Sequence, residues 1–257
     1  MKDRLWELKQ AADGGGLELY IYGDVEGRTF DWENWRYVTS ENSAQHFREE
    51  LAKYPDAKRI DIYINSYGGD VFEGTAIYNQ LKRHQARKVV HVDGFACSIA
   101  SVIAMAGDEV IMPRNTLMMI HNMWVCVCGN AAELRKSADD LDVINTAGRQ
   151  AYLQKAGDKL PEDQLAEMMD AETWLTAERC VELGLADRLA DEDADMSGAA
   201  AILQKVNASM EQRLQYQKIL AAQLRDLANV PVPGATPEGN PQGSGNPDKN
   251  KVLSLFA

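Results

Sequence analysis

A serine stands just after a strand and at the opening of a helix in Gly94-Phe-Ala-Cys-Ser98-Ile-Ala, among residues small enough to let another backbone come close. At such a turn the hydroxyl is lifted clear of the sheet, and helical N–H groups lie nearby to carry negative charge. That is the setting of a nucleophilic serine. The same residue also suits an ordinary helix N-cap, where serine is favoured because its oxygen accepts a first-turn N–H. Ser101, one turn later, is a competing hydroxyl. A nucleophile of this kind needs a base, and the chain has four histidines. His46 and His84 fall on polar helix faces and His91 lies inside a strand, whereas His121 ends the apolar run Leu117-Met-Met-Ile-His121. That run finishes at the C-terminal edge of the expected sheet, where the sites of α/β proteins gather. Acyl transfer further requires N–H donors fixed in advance for the oxyanion. Gly68-Gly69, after another strand, and the N–H of Ile99 are suited to that task, because glycine reaches backbone angles that aim an N–H inward. A Gly-Gly pair is equally a simple turn.

These residues need elements to hold them. Residues 17–23 alternate and are rich in β-formers, so they read as a strand closed by Gly23; residues 24–41 read as a loop and 43–51 as a helix. A second strand, 59–65, leads into Ser66-Tyr-Gly-Gly-Asp70, and 71–83 has the apolar spacing of a helix packed on a sheet. Strands at 88–92, 109–112 and 116–120 follow, with a helix from about 98 to 106 between the first two. Such alternation predicts a parallel sheet with right-handed crossovers. Residues 130–155 form a long helical stretch with Leu134, Ala138, Leu141 and Ile144 on one stripe, and shorter helices fall at 165–169 and 176–183.

The boundaries follow composition. Residues 1–16 form an N-terminal segment, charged and broken by glycines, with no apolar run of secretory or membrane-spanning length. A main domain spans 17–190 and ends at the acidic run 191–195; 196–228 reads as an amphipathic helix, and 229–257, rich in proline and glycine, as a disordered tail ending in an apolar Val252-Leu-Ser-Leu-Phe-Ala257. The net charge of −12 argues against a nucleic-acid partner. The four cysteines, Cys97, Cys126, Cys128 and Cys180, lack zinc-ligand spacing and read as small buried thiols of a reducing cytoplasm.

Taken as a set, Ile64-Asn-Ser-Tyr-Gly-Gly-Asp-Val71, Gly74-Thr-Ala-Ile-Tyr78, Asp93-Gly-Phe-Ala-Cys-Ser-Ile-Ala-Ser101, Met118-Met-Ile-His121-Asn122, Trp174-Leu-Thr-Ala-Glu178 and Gly184-Leu-Ala-Asp187 resemble the Clp protease proteolytic-subunit family in order and spacing. The likeness extends over roughly residues 17–190 and leans toward the phage and prophage head-maturation branch, to which 102–108 and 129–135 are also similar. It implies an α/β, ClpP/crotonase-like fold: parallel sheet layers with βαβ units and a protruding handle helix at 130–155. It implies Ser98 as nucleophile, His121 as general base, and Gly68, Gly69 and Ile99 around the oxyanion hole. The family's third member, an aspartate, falls on Glu172, with Asp170 two residues earlier as the alternative. Tyr67 stands where the family usually has proline.

The implied activity is serine endopeptidase chemistry on polypeptides inside a homo-oligomeric ring or stacked double ring, with no metal and no organic cofactor. The implied setting is the bacterial host cytoplasm or a phage prohead, with capsid or portal proteins or a separate AAA+ unfoldase as partners; neither nucleic acid nor membrane is expected. No GxxxxGK[ST] run is present for ATP binding. Two other readings stay open: a capsid-assembly scaffold with a protease fold, and a crotonase-fold enzyme acting on acyl-CoA.

Overall fold

The structure, a computed structural model, describes residues 6–11, 16–31 and 36–195. The helix expected at 196–228, the tail at 229–257 and the first five residues of the N-terminal segment lie outside the described residues.

Period-two burial builds the sheet. After a short strand Trp6–Gln10 (β1), Leu17–Val25 (β2) turns Leu17, Leu19, Ile21 and Val25 into the core. Residues 24–41, expected as a loop, contain an antiparallel hairpin of Arg28–Asp31 (β3) and Arg36–Thr39 (β4). Its Thr, Phe, Tyr and Val are strand formers, but four-residue strands are too short to announce a period. Helix Ala44–Leu51 (α1) is capped by Ser43, whose hydroxyl accepts the N–H of His46.

Arg59–Gly69 (β5) buries Ile60, Ile62, Ile64 and Ser66, and helix Val71–Arg83 (α2) starts at Asp70, whose carboxylate accepts the N–H groups of Phe72 and Glu73. Arg87–Cys97 (β6) and the six-residue helix Ile99–Ala104 (α3) follow, then Glu109–Met112 (β7) and Leu117–Ile120 (β8). Both β5 and β6 outrun the expected strands. Beyond the register shift after Ile64, the Asn65 side chain accepts the Phe95 N–H at 3.1 Å, standing in for a ladder bond and carrying β6 on to Cys97.

The long helix Ala131–Ala156 (α4) opens with a capping box between Asn130 and Glu133. Helix Glu162–Asp170 (α5), strand Thr173–Thr176 (β9), helix Ala177–Glu182 (α6) and strand Arg188–Leu189 (β10) complete the described chain.

The sheet runs β1-β2-β5-β6-β7-β10, with β8 on β6 and β9 on β8. It is parallel along β2-β5-β6-β7-β10 but antiparallel at β1–β2 and β8–β9, so the expectation of a parallel sheet holds for its centre only. β6 is forked. Its Val89–His91 pairs with β7, whereas its Phe95–Cys97 pairs with β8. The fork brings the ends of β6 and β8 side by side.

The long helix is exposed over its first half, and one sequence expectation needs correction. The stripe on α4 meets no core in its first half: Leu134 and Ala138 are exposed, Leu134 to 43% and nearby Val143 to 71%. Only Asn145, Ala151, Tyr152 and Ala156 are buried, so about fourteen residues, or ~20 Å of helix at 1.5 Å each, stand off the core. The thiols also divide. Cys97 and Cys180 are buried, but Cys126 and Cys128 are exposed in the segment between β8 and α4, which belongs to neither sheet nor helix.

Candidate active site

Leaving β6, the chain reverses at Ser98 with φ 54° and ψ −129°, a left-handed conformation that costs a non-glycine residue about 1–3 kcal/mol. The surroundings hold it there. Its N–H donates to Met119 O at 2.8 Å, and its carbonyl accepts both the N–H and the hydroxyl of Ser101, at 3.0 and 2.5 Å. The Ser98 hydroxyl makes no N-cap bond, so the capping alternative is not realised. It meets His121 Nε2 at 2.8 Å instead.

That contact joins residues 23 apart in the chain, and the fork explains it. Cys97 pairs with Met119 across β6 and β8, so the residues that follow the two strand ends are neighbours. The other histidines are engaged elsewhere. His84 accepts the Ala86 N–H on Nδ1 and lies 3.2 Å from Tyr54 O through Nε2, which closes the end of α2. His91 pairs with Asp61 at 3.2 Å and stacks on Tyr63. Ser101 is fully buried and bonded to Ser98 O and to Tyr152 Oη, so it does not compete for the imidazole. Burial pushes the neighbouring Cys97 thiol up to about 12, which keeps it protonated and unreactive.

Gly68 and Gly69 both sit at positive φ, 108° and 141°; Gly68 presses against the Ser98 turn from β5, whereas Gly69 packs on the Val25 backbone of β2. A Cβ on Gly68 would lie 2.7 Å from Ser98 Cβ, 2.9 Å from Cys97 O and 3.2 Å from Ile99 N. The absence of a side chain at 68 therefore lets β5 lie close against the Ser98 side chain and the Ile99 N–H. The Gly68 N–H donates to Ser66 Oγ at 3.1 Å, and that hydroxyl in turn donates to Gly23 O. Its amide is thus bonded within the turn. Tyr67 turns into a small apolar cluster. Its ring packs on the cluster of Phe95, Cys97 and Met119, and burial with the nearby Asp24 carboxylate pushes its hydroxyl up to about 12.

Asp170 and Glu172 take different places. The Asp170 carboxylate accepts the Asn122 amide N–H at 2.5 Å, at the exposed end of α5. Glu172 has φ 48° and donates its N–H to Met169 O, in the turn that feeds β9. β8 and β9 pair Met119 with Trp174 and Ile120 with Thr173, where the ladder ends; His121 and Glu172 each lie one residue past it, and the Asn122 N–H donates to Met169 O at the end of α5.

Sequence spacing singles out neither Asn145 nor Tyr152, yet both reach this region from α4. Buried Asn145 accepts the Met123 N–H at 2.8 Å, just past His121, and Tyr152 Oη meets Ser101 Oγ at 2.7 Å, just past Ser98. Their separation of two helical turns is the available signal, a polar pair on the buried face of an otherwise exposed helix.

Among the described residues, no group of three or more His, Cys, Asp or Glu could hold a metal ion, and no helix is long and apolar enough to cross a membrane. The arrangement contains what acyl transfer by a serine needs: a half-buried hydroxyl at a strained turn, on an imidazole, with a glycine and backbone N–H groups close beside it.

Comparison with known proteins agrees in kind. The Clp protease family matches residues 39–193. The chain is 30% identical over 145 residues to the ATP-dependent Clp protease proteolytic subunit 3 of Rhodococcus jostii, covering 55% of this chain and 71% of that protein. It is 28% identical over 144 residues to the ATP-dependent Clp protease proteolytic subunit of Deinococcus radiodurans, 55% of this chain and 69% of the relative. The corresponding subunit of Pleurastrum terricola is 30% identical over 145 residues, 55% of this chain and 72% of the relative. With a match that takes in the forked sheet, the serine turn and the histidine strand, the chain belongs to the Clp protease family.

Proposed function

We propose that this protein is a serine endopeptidase that cleaves polypeptides inside a homo-oligomeric chamber. The observation that carries the proposal is the 2.8 Å contact of Ser98 Oγ with His121 Nε2 at a turn held in positive φ. His121 takes the Ser98 proton as Oγ attacks the scissile carbonyl carbon, and the resulting imidazolium gives it to the departing amine. Water, deprotonated by the same imidazole, then releases the acyl group. The negative oxygen of each tetrahedral intermediate sits in the space bordered by Gly68 and accepts the N–H groups of Ile99 and Gly69.

Glu172 completes the site in this reading: it takes the place of the family's third member, it lies one residue before the strand that pairs with β8, and Asp170 is bonded to Asn122. Its carboxylate holds the ring in the tautomer that leaves Nε2 free to accept. Glu172→Gln is expected to lower kcat about 10³–10⁴-fold, while Asp170→Asn stays within about tenfold. A larger loss in Asp170→Asn, measured on the same peptide substrate, exchanges the two assignments.

The exposed first half of α4 and the apolar segment before it, with Trp124, Val125 and Val127 each about half exposed, supply the oligomer contact, because surface of this kind marks an interface. A ring, or two rings stacked through α4, would exclude folded substrates. The setting we infer is the bacterial cytoplasm, in phage head maturation on capsid or portal proteins, on the strength of residues 102–108 and 129–135; a separate AAA+ protein would supply any ATP-driven unfolding. Native mass spectrometry before and after a fluorophosphonate tests both halves together. We expect an oligomer carrying one adduct per subunit, on Ser98. A monomer without adduct would return the chain to the scaffold or acyl-CoA readings.

A further inference from the structure

The oxyanion donor assigned to Ile99 belongs to the same peptide as the Ser98 carbonyl, and that peptide is planar, with C=O and N–H pointing in opposite directions. Whatever fixes the carbonyl therefore aims the N–H. The Ser98 carbonyl accepts the Ser101 N–H and the Ser101 hydroxyl. A serine hydroxyl has one proton, and here it is spent on Ser98 O, so the 2.7 Å contact with Tyr152 has the tyrosine as donor. Tyr152 is fully buried on α4, and burial raises its hydroxyl well above the usual range, so it stays a donor wherever the protein is folded. One turn of helix and one side chain thus hold the back of the peptide, while its N–H lies beside Gly68.

We propose that Tyr152 and Ser101 are positioning residues: through the chain Tyr152 Oη to Ser101 Oγ to Ser98 O they hold the Ser98–Ile99 peptide with its N–H aimed at the oxyanion. Neither touches substrate. Two turns earlier on the same helix, Asn145 holds the Met123 N–H behind His121, so α4 braces both partners of the serine–histidine pair. The half of α4 that stands off the core is continuous with this brace. A contact made there by a second copy would act on the same helix that carries Asn145 and Tyr152.

The inference rests on the peptidase reading, and the experiment separates their failures. Hydrolysis of a fluorogenic peptide is followed for the full-length protein, Ser98→Ala, Tyr152→Phe, Ser101→Ala, Ser101→Thr and the Tyr152→Phe/Ser101→Ala double variant, along with inhibition by a peptide aldehyde that forms a tetrahedral adduct. Tyr152→Phe keeps the ring and removes one proton donor; we expect kcat to fall about tenfold with KM within twofold, a smaller effect than the ~10²–10³ of deleting an oxyanion donor outright. Ser101→Ala should cost about 10–100-fold on the same grounds. Ser101→Thr, which keeps the hydroxyl, should recover much of that loss. The double variant should be no slower than Ser101→Ala, since two links of one chain do not add. Aldehyde affinity should weaken in proportion to kcat. Variants within twofold of the parent, or a double variant equal to the product of the singles, overturn the proposal. Parent hydrolysis that survives Ser98→Ala counts against the peptidase reading itself.

Discussion

Replacing Ser98 with alanine is expected to lower kcat/KM for a peptide substrate by about 10⁵–10⁶-fold, leaving only what binding and the oxyanion donors supply to an attacking water. The change removes one oxygen and its 2.8 Å contact with His121. It creates no new strain, because alanine at φ 54° bears the same backbone cost as serine there. The Ser98 N–H and carbonyl keep their bonds to Met119 and Ser101, so the thermal midpoint should move by only a few degrees. His121→Ala should cost a similar factor. The pair together should cost no more than either alone, since nucleophile and base act as a unit. Progress curves on one peptide, with fluorophosphonate adducts counted in parallel, check all three variants. A Ser98→Ala protein that retains a tenth of the parent rate would remove the proposed mechanism.

The second large effect is steric. A methyl at position 68 would be placed 2.7 Å from Ser98 Cβ and 2.9 Å from Cys97 O, distances at which backbone or the serine turn itself must move. It would stand 3.2 Å from Ile99 N, the donor that the proposed mechanism assigns to the oxyanion. Gly68→Ala is therefore expected to lower kcat by about 10²–10³-fold, the effect of losing one oxyanion donor. Its φ of 108° adds a conformational cost, so the variant should also be destabilised by about 1–3 kcal/mol. The two contributions can be separated. Gly157 also has positive φ, 58°, but a Cβ there would meet nothing within 4 Å, so Gly157→Ala bears backbone cost alone. Urea unfolding should show both variants weakened, while peptide hydrolysis should fall in Gly68→Ala only. Equal activity in the two would mean that position 68 does not border the reaction.

Much of the architecture was legible from period and punctuation. The alternation in Leu17–Val25 and Arg59–Gly69 is the core pattern that the sheet buries, and Asp70 and Asn130 cap the helices that spacing predicts. What escaped was short or depended on distant partners. β9 and β10 have four and two residues, too few for a periodic signal, and their places come from pairing with β8 and β7. Leu134, Ala138, Leu141 and Ile144 do form a stripe, but a stripe states only that a helix has an apolar side. It does not say whether this chain or another covers it. The cysteines make the same point: composition cannot distinguish buried Cys97 from exposed Cys126 and Cys128.

The candidate site divides along the same line. Residue types and local order determined that Ser98 opens a helix, that His121 closes a strand, and that two glycines follow a third, because turns and strand ends are set by a few neighbouring residues. Only the tertiary structure decided which hydroxyl meets the imidazole. Local order favours Ser98 but leaves Ser101 one turn away; the fork in β6 pairs Cys97 with Met119, brings Ser98 to His121 and buries Ser101 against Tyr152. These are contacts between residues tens of positions apart, and their geometry exists only once the strands have paired.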